Sequence, residues 1–258
     1  MNFIDIPTNL RKFSFSLFFL FALISSSFGQ NPITIENALT GTAQTAWDAG
    51  DNAPIEGFAQ EFSVNKGETV HFKIDVESPT LLPYTVKIYR LGWYQGKGAR
   101  FIADLGNSLT GKQQPSYNSE GSTGKVDCNN WAVSTQWIVP STAVSGVYIA
   151  RLDCPSLNAK SILLFIVRDD AANSPLLFKT SDATWQAYNN YGGNTFYGAT
   201  TPVPGFTHAT KVSYQRILHL RGDKSNFFNS EYPMIRWLEK TGIMFLIQLT
   251  WIWQGMLP

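Results

Sequence analysis

Between residues 55 and 152 the chain alternates apolar and polar positions with a period of two, in runs punctuated by glycine, proline, asparagine and serine, and a nearly continuous apolar run at residues 159–167 closes the series. Residues 55–64 (IEGFAQEFSV), 68–76 (ETVHFKIDV), 84–91 (YTVKIYRL), 131–139 (WAVSTQWIV), 146–152 (GVYIARL) and 159–167 (AKSILLFIV) each read as a strand. Asn65, Lys66 and Gly67 supply a hairpin-type turn between the first two. In the second run Val70, Phe72, Ile74 and Val76 share one face, which leaves His71 on the other as a sheet residue rather than a ligand. With a short first strand near residues 33–35, this makes about seven strands in about 130 residues and no helix-period pattern. The expectation is an antiparallel β-sandwich over residues 30–170, immunoglobulin-like in architecture.

The pattern changes after residues 168–174 (RDDAANS), a charged, small-residue connector that marks a domain boundary. Residues 175–179 (PLLFK) are apolar without alternation, as in a strand buried on both faces of a sheet that carries helices. Residues 230–240 (SEYPMIRWLEK) predict a helix: Ser230 caps it, Glu231 and Pro233 suit its first turn, Ile235, Trp237 and Leu238 form its apolar face, and Thr241 and Gly242 end it. A further strand would begin near Ile243. Residues 171–258 therefore read as the start of an α/β domain, and the whole fold as mainly β plus α/β. The almost wholly apolar run 243–257 is short for a membrane span and favours association with another copy if exposed.

Composition adds compartment and excludes some partners. Arg11 and Lys12 precede an apolar run at residues 13–24, and the small residues Ser27 and Gly29 fit cleavage after Gly29. Residues 1–29 thus predict a signal peptide, and a secreted or periplasmic protein. The chain carries 20 Lys+Arg against 19 Asp+Glu, and loss of the leader takes Arg11, Lys12 and Asp5 with it, so the mature chain is near neutral. Nothing in that balance favours nucleic acid. In an oxidising compartment the two cysteines, Cys128 and Cys154, predict one disulfide. His208 and His219 have no metal-ligand spacing, and the tripeptide at residues 221–223 (RGD) is short enough to occur by chance.

Candidate chemistry concentrates in residues 184–197 (TWQAYNNYGGNTFY), which mix aromatics, amides and glycines directly after the expected buried strand. Gly192 and Gly193 permit a turn, and Asn189, Asn190 and Tyr191 can contact a ligand there. A loop after a buried strand of an α/β sheet is a favoured ligand position; the same aromatics can equally serve to pack a domain interface. A second segment, residues 92–100 (GWYQGKGAR), reads as a loop exposing Trp93 and Tyr94, either to stack on a saccharide or to close one end of the sandwich.

Taken together, IEGFAQEFSV, YRLGWYQGKGAR, SGVYIARL, FIVRDD, TWQAYNNYGG and EYPMIRWLEKTG, spread from Ile55 to Gly242, resemble the N-terminal part of the N,N-dimethylformamidase large (beta) subunit family. That resemblance implies a β-sandwich followed by an α/β domain of glutamine-amidotransferase-like architecture. It implies amide hydrolysis at a mononuclear iron held by two tyrosines and a glutamate. Tyr188 matches one tyrosine ligand and Tyr232, in SEYP, is the candidate for the second. The glutamate lies beyond the residues of this chain, so the expectation is an incomplete and inactive metal site acting, in whole relatives, on a small amide. The alternative is a secreted, non-catalytic β-sandwich module that recognises a glycan or a protein.

Overall fold

The computed structural model of the chain describes residues 31–50, 54–106, 109–198, 207–221 and 226–249. The expected signal peptide at residues 1–29, Gly222 and Asp223 of the RGD tripeptide, and the apolar run past residue 249 lie outside the described residues.

A helix opens the described chain. Residues 33–35, expected as a strand, lie in α1 (Pro32–Ala38), with Pro32 at its first position, where a missing N–H costs nothing. After α2 (Gln44–Trp47) the β region begins. The strand expected over residues 55–64 breaks at its middle into β1 (Ile55–Ala59) and β2 (Ser63–Asn65), which join different sheets. β1 pairs with β3 (Thr69–Val76), which pairs with β9 (Thr135–Ile138) in a three-stranded antiparallel sheet. β2 lies parallel to β11 (Ala159–Arg168) at the edge of a six-stranded sheet. That sheet continues through β10 (Gly146–Cys154), β4 (Leu82–Leu91) and β5 (Ala99–Asp104), and β6 (Leu109–Gly111) also pairs with β4. The parallel edge departs from the all-antiparallel expectation. A polar hairpin, β7 (Asn118–Glu120) and β8 (Lys125–Asp127), lies between β6 and β9 in sequence.

The six-stranded sheet is covered on both faces, and this accounts for the nearly continuous apolar run in β11. Its Leu163, Phe165 and Val167 join Val86 and Ile88 of β4, Tyr148 and Leu152 of β10, and Phe72 and Ile74 of β3 in a core between the two sheets. The intervening Ile162, Leu164 and Ile166 join Tyr89, Val147 and Ile149 in a second core on the opposite face. That second core is closed by Ile33, Trp47, Trp185, Phe227, Ile235, Leu238, Phe245 and Ile247, so residues on both sides of position 170 share it. Each such aliphatic side chain taken out of water contributes about 1.5–3 kcal/mol, which makes a bare sheet face untenable here.

Beyond the connector, β12 (Leu176–Lys179) runs parallel to β13 (Phe245–Gln248), with α3 (Asp182–Tyr188), α4 (Phe227–Ser230) and α5 (Tyr232–Thr241) between them in sequence. The expected helix at residues 230–240 is α5, and Gly242 ends it in the left-handed conformation at φ 66°. Its inward face is Tyr232, Ile235, Leu238 and Glu239; Trp237 points out and is 53% exposed, contrary to its expected place on the apolar face. β12 differs too. Leu176 and Leu177 are exposed because β12 pairs, among the described residues, with β13 alone, and it is β13 that sends Phe245 and Ile247 into the core.

A buried polar network ties α5 to the sheet. Arg90 of β4 makes a two-pronged ion pair with Glu239, Nη2 to Oε1 at 2.7 Å and Nη1 to Oε2 at 2.9 Å, and both side chains are wholly buried. Burial alone would lower the Arg90 guanidinium; the Glu239 carboxylate outweighs it and raises the group well above its ordinary value. Asn37 of α1 donates to the same carboxylate, and its Oδ1 accepts the backbone N–H groups of Trp93 and Tyr94 at 2.8 and 3.1 Å. Tyr94 donates its hydroxyl to Glu36 at 2.7 Å, and Arg100 reaches that carboxylate at 2.7 Å. These bonds hold Tyr94 and Gln95 at φ 43° and 53°, a region that non-glycine residues seldom adopt.

The expected disulfide is absent: Cys128 and Cys154 are both free and buried. Cys154, at the end of β10, belongs to the core between the sheets, whereas Cys128 follows β8 in a separate cluster with Phe58, Trp131 and Ile217. Different cores hold them, so no bridge forms. Among the described residues no helix is long and apolar enough to cross a membrane.

Two outcomes follow. Glu239→Gln, which strands the Arg90 charge in the interior, should lower unfolding free energy by about 3–5 kcal/mol in urea titration, whereas the paired Arg90→Leu, Glu239→Leu variant should recover most of that loss. Neither cysteine should react with a thiol reagent in the native protein, both should react after denaturation, and dithiothreitol should leave the thermal midpoint unchanged.

Candidate functional site

The amide- and aromatic-rich segment is not a loop throughout. Its first half is α3, and the turn comes after it. Two buried carboxylates set the start of that helix. Asp182 accepts the Thr180 hydroxyl at 2.8 Å and the Tyr214 hydroxyl at 2.6 Å, while Glu231, beside α5, accepts the Ser181 backbone N–H at 2.7 Å. Burial raises the Glu231 carboxyl above its ordinary value, with the Ser181 N–H opposing and the nearby Asp182 charge assisting. Burial also raises the Tyr214 phenol, helped by its bond to Asp182. Trp185 packs edge-on against Phe62 and Phe227, which seats α3 on the six-stranded sheet.

The chain then turns. Asn189, the residue after α3, donates its side-chain amide to the Ile217 carbonyl at 2.8 Å and accepts the Tyr191 N–H at 3.1 Å. Gly192 and Gly193 have φ of 75° and 95°, so the predicted glycine turn is present. At Gly192 there is also no room for a side chain, since a Cβ would lie 2.4 Å from Val126 Cγ1. Asn194 anchors the far side by donating to the Gly124 carbonyl at 3.1 Å. The polar hairpin β7–β8 thus serves as a wall for the turn.

These elements enclose a pocket of about 310 Å³ walled by Trp185, Tyr188, Asn189 and Asn190 from α3 and its end, and by His219 and Asn226 across from them. Leu218 and Arg221 complete it. Tyr188 is half exposed and stacks on Tyr197 with ring centroids 4.5 Å apart. Arg221 lies over the Phe228 ring and forms an ion pair with Asp48. Amide groups, a phenol and an imidazole over an indole wall can take up a small polar molecule that has apolar substituents.

Of the residues expected to form a site, Tyr188, Asn189 and Asn190 come together. Tyr191 does not line the pocket: its ring meets Tyr117 edge-on, and burial with the neighbouring Cys128 thiol raises its phenol. Trp93 and Tyr94 sit elsewhere. Tyr94 is fully buried in the Arg90 network, and Trp93 is half-buried beneath Lys240 and Arg236, so the expected exposed loop is a packed one. Tyr232 also turns away, donating its hydroxyl to the Gly98 carbonyl at 2.9 Å within a ring of Trp47, Phe227 and Phe228.

That placement bears on iron. A phenol binds ferric iron as phenolate, yet burial raises the Tyr232 phenol and its hydroxyl is already committed as a donor. Tyr188 and Tyr232 do not fit one metal centre in this arrangement. Among the described residues no group of three or more His, Cys, Asp or Glu side chains stands ready for a metal either.

Sequence reasoning passed over His219, Arg221 and Asn226, and the buried Asp182, Glu231 and Arg216. His219 was visible only as an isolated histidine in RILHLRGD. Its partners in the pocket lie about thirty residues upstream, and no periodicity links them.

A family model described as N,N-dimethylformamidase beta subunit-like, C-terminal, matches residues 85–248. The resemblance therefore lies with the C-terminal region of that subunit, not its N-terminal part, and the matched stretch runs from β4 to the end of β13. No curated protein matches the chain. Among solved structures, the alkylpurine DNA glycosylase AlkC of Pseudomonas fluorescens, bound to DNA containing an abasic-site analogue, is 15% identical over 48% of this chain and 33% of its own, with a TM-score of 0.27. The chain spans a third of that protein, and so low a TM-score carries no argument about fold or ligand.

Gly192→Ala should cost about 1–3 kcal/mol, through its positive φ and the clash with Val126. Chemical denaturation should show the loss, and adding Val126→Ala should return part of it.

Proposed function

Because the chain belongs to the N,N-dimethylformamidase beta subunit-like, C-terminal family, we propose that it is a hydrolase of carbon–nitrogen bonds in small amides, with the substrate held in the pocket beside α3. The observation that carries this reading is the pocket itself: in the stretch the family model covers, Tyr188, Asn189 and Asn190 are gathered opposite His219 over the Trp185 indole. The apolar wall of Trp185 and Leu218 suits N-alkyl substituents. The exposed Asn190 amide is free to donate to a substrate carbonyl, whereas the Asn189 amide is already bonded to Ile217 and shapes the floor.

In this reading His219 takes a proton from water as the water oxygen attacks the amide carbon. The tetrahedral carbon then expels the nitrogen, which leaves as an amine carrying that proton, and the acyl group departs as the carboxylic acid. Tyr188, beside the same opening, orients the carbonyl oxygen. No step is assigned to iron, since the Tyr232 hydroxyl is committed to the Gly98 carbonyl. For the fold we read the two β layers as an immunoglobulin-like sandwich and the β12–β13 unit as the beginning of a glutamine-amidotransferase-like α/β domain; the shared inter-sheet core and the parallel pairing support this. The leader pattern at residues 1–29 supports a secreted or periplasmic site of action.

Purified protein incubated with formamide, N,N-dimethylformamide or acetamide should release ammonia or amine, and His219→Gln should lower kcat/KM roughly a hundredfold. Tyr188→Phe should lower it by less. Absence of amine from all three amides, or a His219→Gln variant at full rate, would overturn the proposal.

A further inference from the structure

Arg216 is a buried cation. It is 1% exposed, and among the described residues no carboxylate forms an ion pair with it. Burial lowers its guanidinium to about 10, and the neighbouring Cys128 thiol opposes that only in part. A guanidinium is costly to place in such a position, so the groups that it does touch must be its reason for being there.

All of those groups belong to the site segment. Nη2 donates to the Gln186 carbonyl at 2.9 Å, and Nη1 reaches the carbonyls of Asn194 at 3.3 Å and Tyr191 at 3.4 Å. Nε lies 3.5 Å from Gln186 Oε1. One side chain therefore bridges the last turn of α3 and both sides of the glycine turn. The Gln186 carbonyl sits near the C-terminal end of α3, where carbonyls lack helical partners and attract a cation. Between the bridged carbonyls lie Tyr188, Asn189 and Asn190, three of the pocket's walls.

We propose that Arg216 is the positioning residue of this site: by clamping the Gln186, Tyr191 and Asn194 carbonyls it fixes the end of α3 and the turn, and thereby the pocket side chains between them. A lysine cannot substitute, because its single ammonium cannot span carbonyls on three residues in the plane of a fork. This role rests on the amide-hydrolase reading only for its catalytic consequence; the clamp itself does not.

The test uses the full chain with Arg216→Lys and, as a second variant, Arg216→Gln. Hydrogen–deuterium exchange followed by mass spectrometry should show residues 186–198 exchanging at least tenfold faster in both variants, with β10 and β11 unchanged. Where the wild type releases amine, kcat should fall at least tenfold in Arg216→Lys while the thermal midpoint moves little. If the wild type releases none, the hydrolase reading fails and the exchange pattern alone decides the clamp. Unchanged exchange in residues 186–198, faster exchange across the whole sheet, failure of both variants to fold, or local loosening with full wild-type kcat would each overturn the proposal.

Discussion

The ion pair between Arg90 and Glu239 is the joint on which the molecule turns. It lies in an interior that water does not enter, where an unpaired charge of either sign would be several kcal/mol uphill. Arg90 stands on β4 and Glu239 on α5, 149 positions apart in the chain, so the pair can form only if the helical layer docks on the sheet in one register. Asn37 bonds the same carboxylate and also the backbone at Trp93 and Tyr94. Helix α1, the strained turn at Tyr94 and helix α5 are thereby bound to one point.

From that docking the site follows. Helix α5 brings Glu231 to the start of α3, where it accepts the Ser181 N–H, and it places Tyr232 against Gly98 rather than near the pocket. Helix α3 then enters the core through Trp185, and of its last turn only Tyr188 reaches solvent. The clamp at Arg216 and the Val126 wall act on that last turn and on the glycines beyond it. The pocket is therefore framed on one side by a segment held through backbone carbonyls and on the other by Leu218, His219, Arg221 and Asn226. At its rim Tyr188 and Tyr197 are stacked in the open.

The two tyrosines singled out as ligands show why a motif is weaker than a placement. Both lie in segments that resemble the family, and both are aromatic residues next to turns. One stacks at the surface and the other donates a hydrogen bond inside an aromatic cluster. The chemistry proposed for the pocket consequently rests on side chains that share its wall, His219 among them, rather than on residues joined only by a motif.

Period-two alternation was enough to locate β3, β4 and β10, since side chains on successive strand residues face opposite layers whatever surrounds them, and the apolar run at residues 159–167 located β11. The helix at residues 232–241, its proline start and its glycine end, and the glycine turn at residues 192–193, were legible for the same reason: local backbone preference decides them. Other features were not local. Whether β12 was buried depended on which strands lay beside it. The ten-residue run at residues 55–64 divides between two sheets because long-range pairing, not alternation, chooses a strand's neighbours. Two cysteines 26 positions apart looked pairable until each was assigned to a different core. Sequence alone determined the long alternating strands, the helix ending at Gly242 and the glycine turn, because those depend on neighbouring residues; the tertiary structure decided which side chains share a cavity, because that depends on how the layers dock.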